Sequence, residues 1–235
     1  MRHNQSSDLH IFYRNICTQT TLSASLMLCV LMGSLRPDVA SADQGKQGAV
    51  TKATAQISAT DFLKSRIVNV LELAGKPIPS AKEKSEIDSQ LLKLIIPMID
   101  FALMSEKSLG KHWSSLNQPQ KDTFVQLFKD LVFYSYIKKI RSVKTGDQVS
   151  YESEEKTARG ATVEAVAQTK NAEYEMRFHL RREEREGGLF YIAEDIDIDE
   201  VSLVQNYREQ FNKIILDEGF DGLIKKMEAQ VAKVN

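Results

Sequence analysis

Cysteine is nearly missing from this 235-residue chain: it has two, Cys17 and Cys29, both near the N-terminus. Neither sign of charge dominates, with 31 Lys and Arg against 32 Asp and Glu. That balance argues against the basic stripe of a nucleic-acid binder and the acidic block of a solvating tail. There is no glycine-rich phosphate loop, no G-x-S-x-G elbow and no S-x-x-K in a strand-to-helix setting. The loops built for phosphate cradling and serine acylation are therefore absent. What is present is a 42% hydrophobic composition, enough for a sizeable core.

The N-terminus is unlike the rest. Arg2 and Arg14 are followed by the uncharged stretch Thr20 to Leu35, then Pro37 and "VASA", with Ala40 and Ala42 at the small-residue positions a signal peptidase requires. This layout predicts a secretory signal over residues 1–42, cleaved between Ala42 and Asp43. The apolar stretch is shorter than the roughly 20 residues of a membrane span, so an uncleaved anchor is the less favoured reading. Cleavage removes both cysteines, leaving a near-neutral chain held by its core alone, without a disulfide, a thiolate ligand or a cysteine nucleophile. Residues 43–58 are small and polar and read as a flexible leader; one domain follows over 59–235.

Within that domain the helical signals come first. Phe62, Leu63, Ile67, Val70 and Leu71 recur at helical spacing, with Thr60 as a candidate N-cap and Gly75, Pro77 and Pro79 as the stop. A second helix runs from about Ser80 to Pro97, and a short one closes near Gly110. Pro119 opens a long helix that is apolar around most of its circumference from Phe133 to Ile140, which predicts a segment enclosed on several sides.

The period then switches from 3.6 to 2. Val149 and Tyr151 begin it, Ala161 to Ala167 and Tyr174 to Leu180 alternate with polar residues, and Phe190, Ile192, Ile196 and Ile198 continue it beyond a Gly187–Gly188 turn. Two helices, Ser202 to Leu216 and Asp221 to Val234, end the chain with a break at Gly219. The expectation is an α+β fold: a curved antiparallel sheet of about four strands packed against several helices.

Candidates for chemistry are few. His179 falls on the polar side of its strand beside Arg177 and Arg181, and His112 precedes Trp113 at a helix end. Asp195, Asp197 and Asp199 share one strand face but lack the glycine and terminal glutamate of a calcium loop, and read as cross-strand partners of Arg177, Arg181 and Arg182. Asn206, Tyr207 and Arg208 form a polar-aromatic-basic trio, yet Ser202 and Gln205 have capping-box spacing just before it, so residues 201–211 read as a strand-to-helix junction.

Three segments carry a resemblance: Ile99–Trp113 (IDFALMSEKSLGKHW), Phe124–Ile140 (FVQLFKDLVFYSYIKKI) and Val201–Met227 (VSLVQNYREQFNKIILDEGFDGLIKKM). In order and spacing they resemble the MlaC, or toluene-tolerance, family of periplasmic lipid-binding proteins, over roughly Ala59 to Val231. Glu200 stands where the family pattern leads one to expect glycine. The resemblance implies a pocket for acyl chains and no catalysis, metal or cofactor. It implies a periplasmic shuttle whose cargo is a phospholipid. Its partners would be an inner-membrane ABC transporter containing an MCE-domain protein and an outer-membrane lipoprotein complex.

The enclosed long helix and the dry sheet face are where the lining of such a pocket is expected. The candidates are Phe101, Phe124, Leu127, Phe128, Leu131, Val132, Tyr134, Tyr136, Val163, Tyr174, Met176, Phe178, Leu180, Ile196, Val204, Tyr207 and Phe211. Alternatives stay open: a hopanoid cargo, a small exported hydrolase or isomerase using His179 or the Asp195–Asp199 acids, or an adaptor with a solid core. The direction of His179 separates carrier from enzyme, and a cavity separates both from the adaptor.

Overall fold

The computed structural model describes residues 57–142, 149–169, 172–185 and 188–234. The expected signal segment, its cleavage point, the leader up to residue 56 and Gly187 lie outside the described residues.

Among the described residues, five α-helices and five strands are formed in the order α1 (Ala59–Ala74), α2 (Ala81–Ile95), α3 (Phe101–Leu109), α4 (Gln118–Ser142), β1 (Val149–Lys156), β2 (Gly160–Gln168), β3 (Glu173–Arg185), β4 (Gly188–Ile198), β5 (Val201–Ser202) and α5 (Leu203–Val234). Helix starts are set by local side chains. Ser58, not Thr60, caps α1: its backbone is extended and its hydroxyl accepts from the Asp61 N–H at 3.0 Å. Thr60 is already helical, and its N–H and hydroxyl both donate to the Glu154 carboxylate, at 2.8 and 2.7 Å, tying α1 to β1. Ser80 caps α2, and Pro97 lies in a short 3-10 turn after it. Asn117 and Gln120 exchange side-chain and backbone hydrogen bonds at 3.0 Å to open α4. Gly219 kinks α5 with φ 73° and ψ 178°, a conformation essentially reserved for glycine.

The strands pair in sequence order, β1-β2-β3-β4-β5, all antiparallel. The sheet thus has one strand more than expected, since Val201–Ser202 adds a short pair to the end of β4. Alternation holds on β2, where Ala161, Val163, Ala165 and Ala167 are buried, and on β3 for Phe178 and Leu180. On β4 it fails. His179 pairs with Asp195 but Leu180 pairs with Ala193, so Glu194 is bulged out of register. One extra residue inverts the phase: Tyr191 and Ala193, not Ile192, join the dry face upstream of the bulge, while Ile196 keeps its place downstream.

The bulged Glu194 is only 8% exposed and is held by three cations. Arg181 Nε lies 2.9 Å away, Arg159 Nη2 3.3 Å and Lys107 Nζ 3.6 Å. Arg181 also reaches Asp100, the N-cap of α3, at 2.9 Å. The Asp100 N–H donates to the Ala193 carbonyl at 2.8 Å. These bonds seat the start of α3 against the middle of β4.

The β4–β5 connection is a two-residue turn, Asp199–Glu200, with φ of 51° and 65°. Two positive φ values are what a tight hairpin matching the sheet twist demands, and glycine is favoured at the second position. Glu200 adopts that conformation with a Cβ, at a cost of about 1–2 kcal/mol. Replacing it by glycine, Glu200→Gly, is expected to raise stability by about 1 kcal/mol. A thermal melt of the two proteins checks this; an unchanged or lower midpoint would contradict it.

Candidate functional site

Helices α1, α2 and α4 do not close fully onto the sheet. Between them lies a cavity of about 210 Å³. Leu63, Ile67, Val70 and Leu71 of α1 form one wall, and Leu92, Ile95 and Ile96 at the end of α2 another. Val132, Phe133, Tyr136, Lys139 and Ile140 of α4 face Tyr174, Met176, Phe178, Ala193, Ile196 and Ile198 of the sheet. Met98, Ile99, Phe101, Val149, Ala167 and Leu203 complete the lining. All of these are apolar except the ammonium of Lys139 and the phenols of Tyr136 and Tyr174.

Of the residues singled out from sequence, Phe101, Val132, Tyr136, Tyr174, Met176, Phe178 and Ile196 meet at this cavity. The others are placed elsewhere. Phe124, Phe128, Tyr207 and Phe211 pack ring against ring between α4 and α5, with centroids 5.0–5.8 Å apart. Leu131 and Val204 are buried and Leu127 half-buried, all outside the cavity lining. Val163 and Leu180 lie in the core cluster that includes Ala59 and Phe62 of α1. Tyr134 packs in the cluster joining α1, α2 and α4, its ring 5.1 Å from that of Phe133.

Helical geometry accounts for the division. Phe124, Phe128 and Leu131 form one stripe of α4; Val132, Tyr136 and Lys139 repeat that spacing eight residues later, which rotates it by about 80°. One stripe meets α5 and the other the cavity, a distinction that a helix apolar all round does not display in its sequence. The α1 and α2 walls were visible only as amphipathic stripes, with nothing to tell a cavity wall from a core.

The groups that invited a catalytic or metal reading are placed away from this lining. His179 is 39% exposed in its side chain, its Nε2 2.9 Å from Asp197 on the polar face of the sheet, with Arg177 3.7 Å from the same carboxylate. His112 Nε2 is 3.0 Å from the side-chain oxygen of Asn212. Asp195 holds the start of α5, accepting from the Val204 N–H at 3.1 Å and the Ser202 hydroxyl at 2.6 Å. It is thus not the partner of an arginine that strand alternation led one to expect. Asp199 accepts from the Glu175 N–H at 3.2 Å. Ser202 accepts from the Gln205 N–H at 3.0 Å, but Gln205 turns to Glu209 instead of back, so only half of the capping box forms. Among the described residues, no group of three or more His, Cys, Asp or Glu side chains is placed to hold a metal ion, and no helix is long and apolar enough to cross a membrane.

The electrostatics of the lining follow from burial. Burial, with the Tyr207 phenol and the Asp199 carboxylate nearby, pushes the Tyr136 phenol far above its ordinary value. Outside the lining, burial alone pushes the Tyr151 phenol up to about 12. Both phenols are neutral at any physiological pH. Lys139 Nζ sits 4.7 Å from the centre of the Tyr174 ring and 5.8 Å from that of Tyr136.

A family model described as MlaC protein matches residues 69–229. Among solved structures, the chain is similar to the phospholipid-binding protein from Ralstonia solanacearum in complex with a phospholipid. The TM-score is 0.61 at 21% identity, covering 76% of this chain and 99% of that one. At that identity the likeness establishes the fold. No curated protein matches the chain by sequence.

A packed core and a cavity wall respond differently to truncation. Phe211→Ala, which empties a fully enclosed site among aromatic rings, is expected to cost about 3–5 kcal/mol. Met176→Ala already lacks neighbours on its cavity side and is expected to cost less than the roughly 2–5 kcal/mol of a fully packed methionine. Chemical denaturation of both variants checks the ranking; a reversed order would mean that the cavity is in fact closed.

Proposed function

The chain belongs to the MlaC family, and from that premise we propose that it is a soluble periplasmic carrier holding a phospholipid by its acyl chains in the cavity between α1, α2, α4 and the sheet. The observation that carries this reading is the lining. A cavity walled almost wholly by aliphatic and aromatic side chains offers nothing to a polar substrate, and a great deal to hydrocarbon. The fold it shares with a phospholipid-bound protein supports the same cargo.

Magnitudes explain why such a carrier is needed. A two-tailed lipid exposes roughly 30 methylenes on leaving a membrane, at about 0.8 kcal/mol each, or on the order of 24 kcal/mol. A carrier has to replace most of that with its own apolar surface. At about 210 Å³ the cavity lies below the roughly 300–1,000 Å³ of ordinary ligand pockets, so loading two tails requires a wall to move outward. The wall that moves is α2, which buries only Ile87, Asp88 and Leu91. Asp88 is paired there with Lys84 at 2.8 Å and with Arg141 of α4.

In this reading the signal segment is removed after Ala42 and the mature chain shuttles between two membranes. It meets an MCE-domain protein of an inner-membrane ABC transporter on one side and an outer-membrane lipoprotein complex on the other. A cargo held so deeply leaves slowly by itself, and a partner that shifts α2 accelerates it.

Native mass spectrometry of the mature protein, purified without detergent and followed by lipid extraction, tests the cargo. The expected result is a discrete added mass matching a phospholipid; a bare protein mass with no uptake from vesicles would overturn the reading. Lipid exchange is expected to be faster with the inner-membrane partner than without it, and equal rates would rule out partner-driven release.

A further inference from the structure

We propose that the cleft beside the β1–β2 turn is a second binding site, one for a phosphate-bearing anion, with Lys156 and Arg182 as the residues that take its charge. It stands whether or not the cavity holds lipid.

The cleft has a volume of about 490 Å³, within the range of ordinary ligand pockets. Its walls are the end of β1, the turn over residues 157–159, the start of β2, Arg181 and Arg182 of β3, Tyr191 of β4 and the two residues before α1. No residue lines both this cleft and the apolar cavity. One core cluster lies between them, giving Leu63 and Phe178 to the cavity and Ala161 and Tyr191 to the cleft. Where the cavity is walled by hydrocarbon, the described residues lining the cleft include four cations, Lys156, Arg159, Arg181 and Arg182, against one carboxylate, Glu154.

These charges are not equally available. Arg181 is committed to Asp100, Glu183 and Glu194. Arg159 touches Glu194 at 3.3 Å, yet its side chain is 75% exposed. Glu154 is turned to the start of α1, where the Thr60 N–H and hydroxyl both donate to it. Lys156 and Arg182 are exposed, and among the described residues their side chains make no hydrogen bond or ion pair. The backbone beneath them is fixed. The Arg182 N–H donates to the Arg159 carbonyl at 2.7 Å, and the Thr157 N–H to the Gly160 carbonyl at 3.0 Å. Gly160 permits that approach, since a Cβ there would lie 2.0 Å from the Leu180 carbonyl oxygen.

Like charges held together on a locked turn repel one another, and an anion relieves that repulsion. A phosphate group has more acceptor oxygens than a carboxylate, so it can meet a lysine as a point charge and an arginine through parallel bonds at once. The same group reaches such a cleft as a soluble phosphate or as a lipid headgroup at a membrane surface.

The test has two arms. The protein is titrated with inorganic phosphate and with glycerol phosphate by calorimetry, and it is sedimented with vesicles of phosphatidylcholine with and without phosphatidylglycerol. The expected result is binding of a soluble probe, or sedimentation that requires phosphatidylglycerol, and the arm that responds tells a soluble phosphate from a headgroup. Lys156→Gln combined with Arg182→Gln is expected to weaken the response by about tenfold or more, the scale of one hydrogen bond to a charged group. Either change alone is expected to act in the same direction, and Lys156→Arg to retain binding. Lys213→Gln combined with Lys225→Gln removes equal charge from exposed positions on α5 and is expected to bind as the wild type does. No response in either arm overturns the site. So does a response that survives the loss of Lys156 and Arg182, or one that the α5 variant loses equally, because net charge then accounts for it.

Discussion

The bulge at Glu194 is the constraint around which this molecule is arranged. A strand with one face to a cavity and one to water should alternate throughout, and β4 does not. Upstream of the bulge, Tyr191 and Ala193 face the core; downstream, Ile196 and Ile198 line the cavity. Between them, the displaced glutamate is buried and satisfied by Arg181, Arg159 and Lys107. A buried carboxylate without those partners would cost several kcal/mol, so the ionic cluster and the bulge stand or fall together. Arg181 then links the bulge to Asp100 and the start of α3, while Asp195, the next residue, fastens the start of α5. One inserted residue thereby fixes the positions of two helices and the phase of a cavity wall.

Rigidity is unevenly distributed around that point. The interface of α4 with α5 is a stack of interlocked rings, Phe124, Phe128, Tyr207 and Phe211, where removing any one leaves a hole. The cavity, by contrast, is lined by aliphatic and aromatic side chains that leave space between them, and the unbranched stems of Met98 and Met176 can adapt to what that space holds. Helix α2 sits between these regimes. Few of its side chains are buried, and its one buried charge, Asp88, is shared between Lys84 of the same helix and Arg141 of α4. Parting the two helices would leave Asp88 with Lys84 but take from Arg141, itself largely buried, its carboxylate partner, which makes the contact costly to break.

Much of this fold was legible from local signals. Ser80, Pro97, Gly110, Pro119 and Gly219 punctuate the helices where their chemistry says they should, and the alternation of Ala161 to Ala167 and Tyr174 to Leu180 gave two strands with their faces. The turn before α5 was marked as well, for the residue at which glycine was expected, Glu200, has the positive φ that glycine would relieve. What could not be read depended on distant partners. The bulge exists because three cations from other elements meet Glu194, and no short window of β4 records them. The assignment of α4 residues to cavity or to core required knowing that α5 returns against one side of it. Thr60 looked like a cap, and only the presence of Glu154 far along the chain gives it another role.

The outer edge of the sheet has a meaning of its own. Among the described residues β1 pairs with β2 alone, and its register slips between Tyr151 and Ser153. Along this rim stand Glu152, Glu154 and Glu155. An open strand is a template onto which another chain can be zipped, and the remedies are irregular pairing and like charge. Both are present here. Two molecules meeting rim to rim would bring acid against acid along a ladder that cannot stay in step. A crowded compartment can therefore hold many copies of such a protein without their sheets fusing into a fibre.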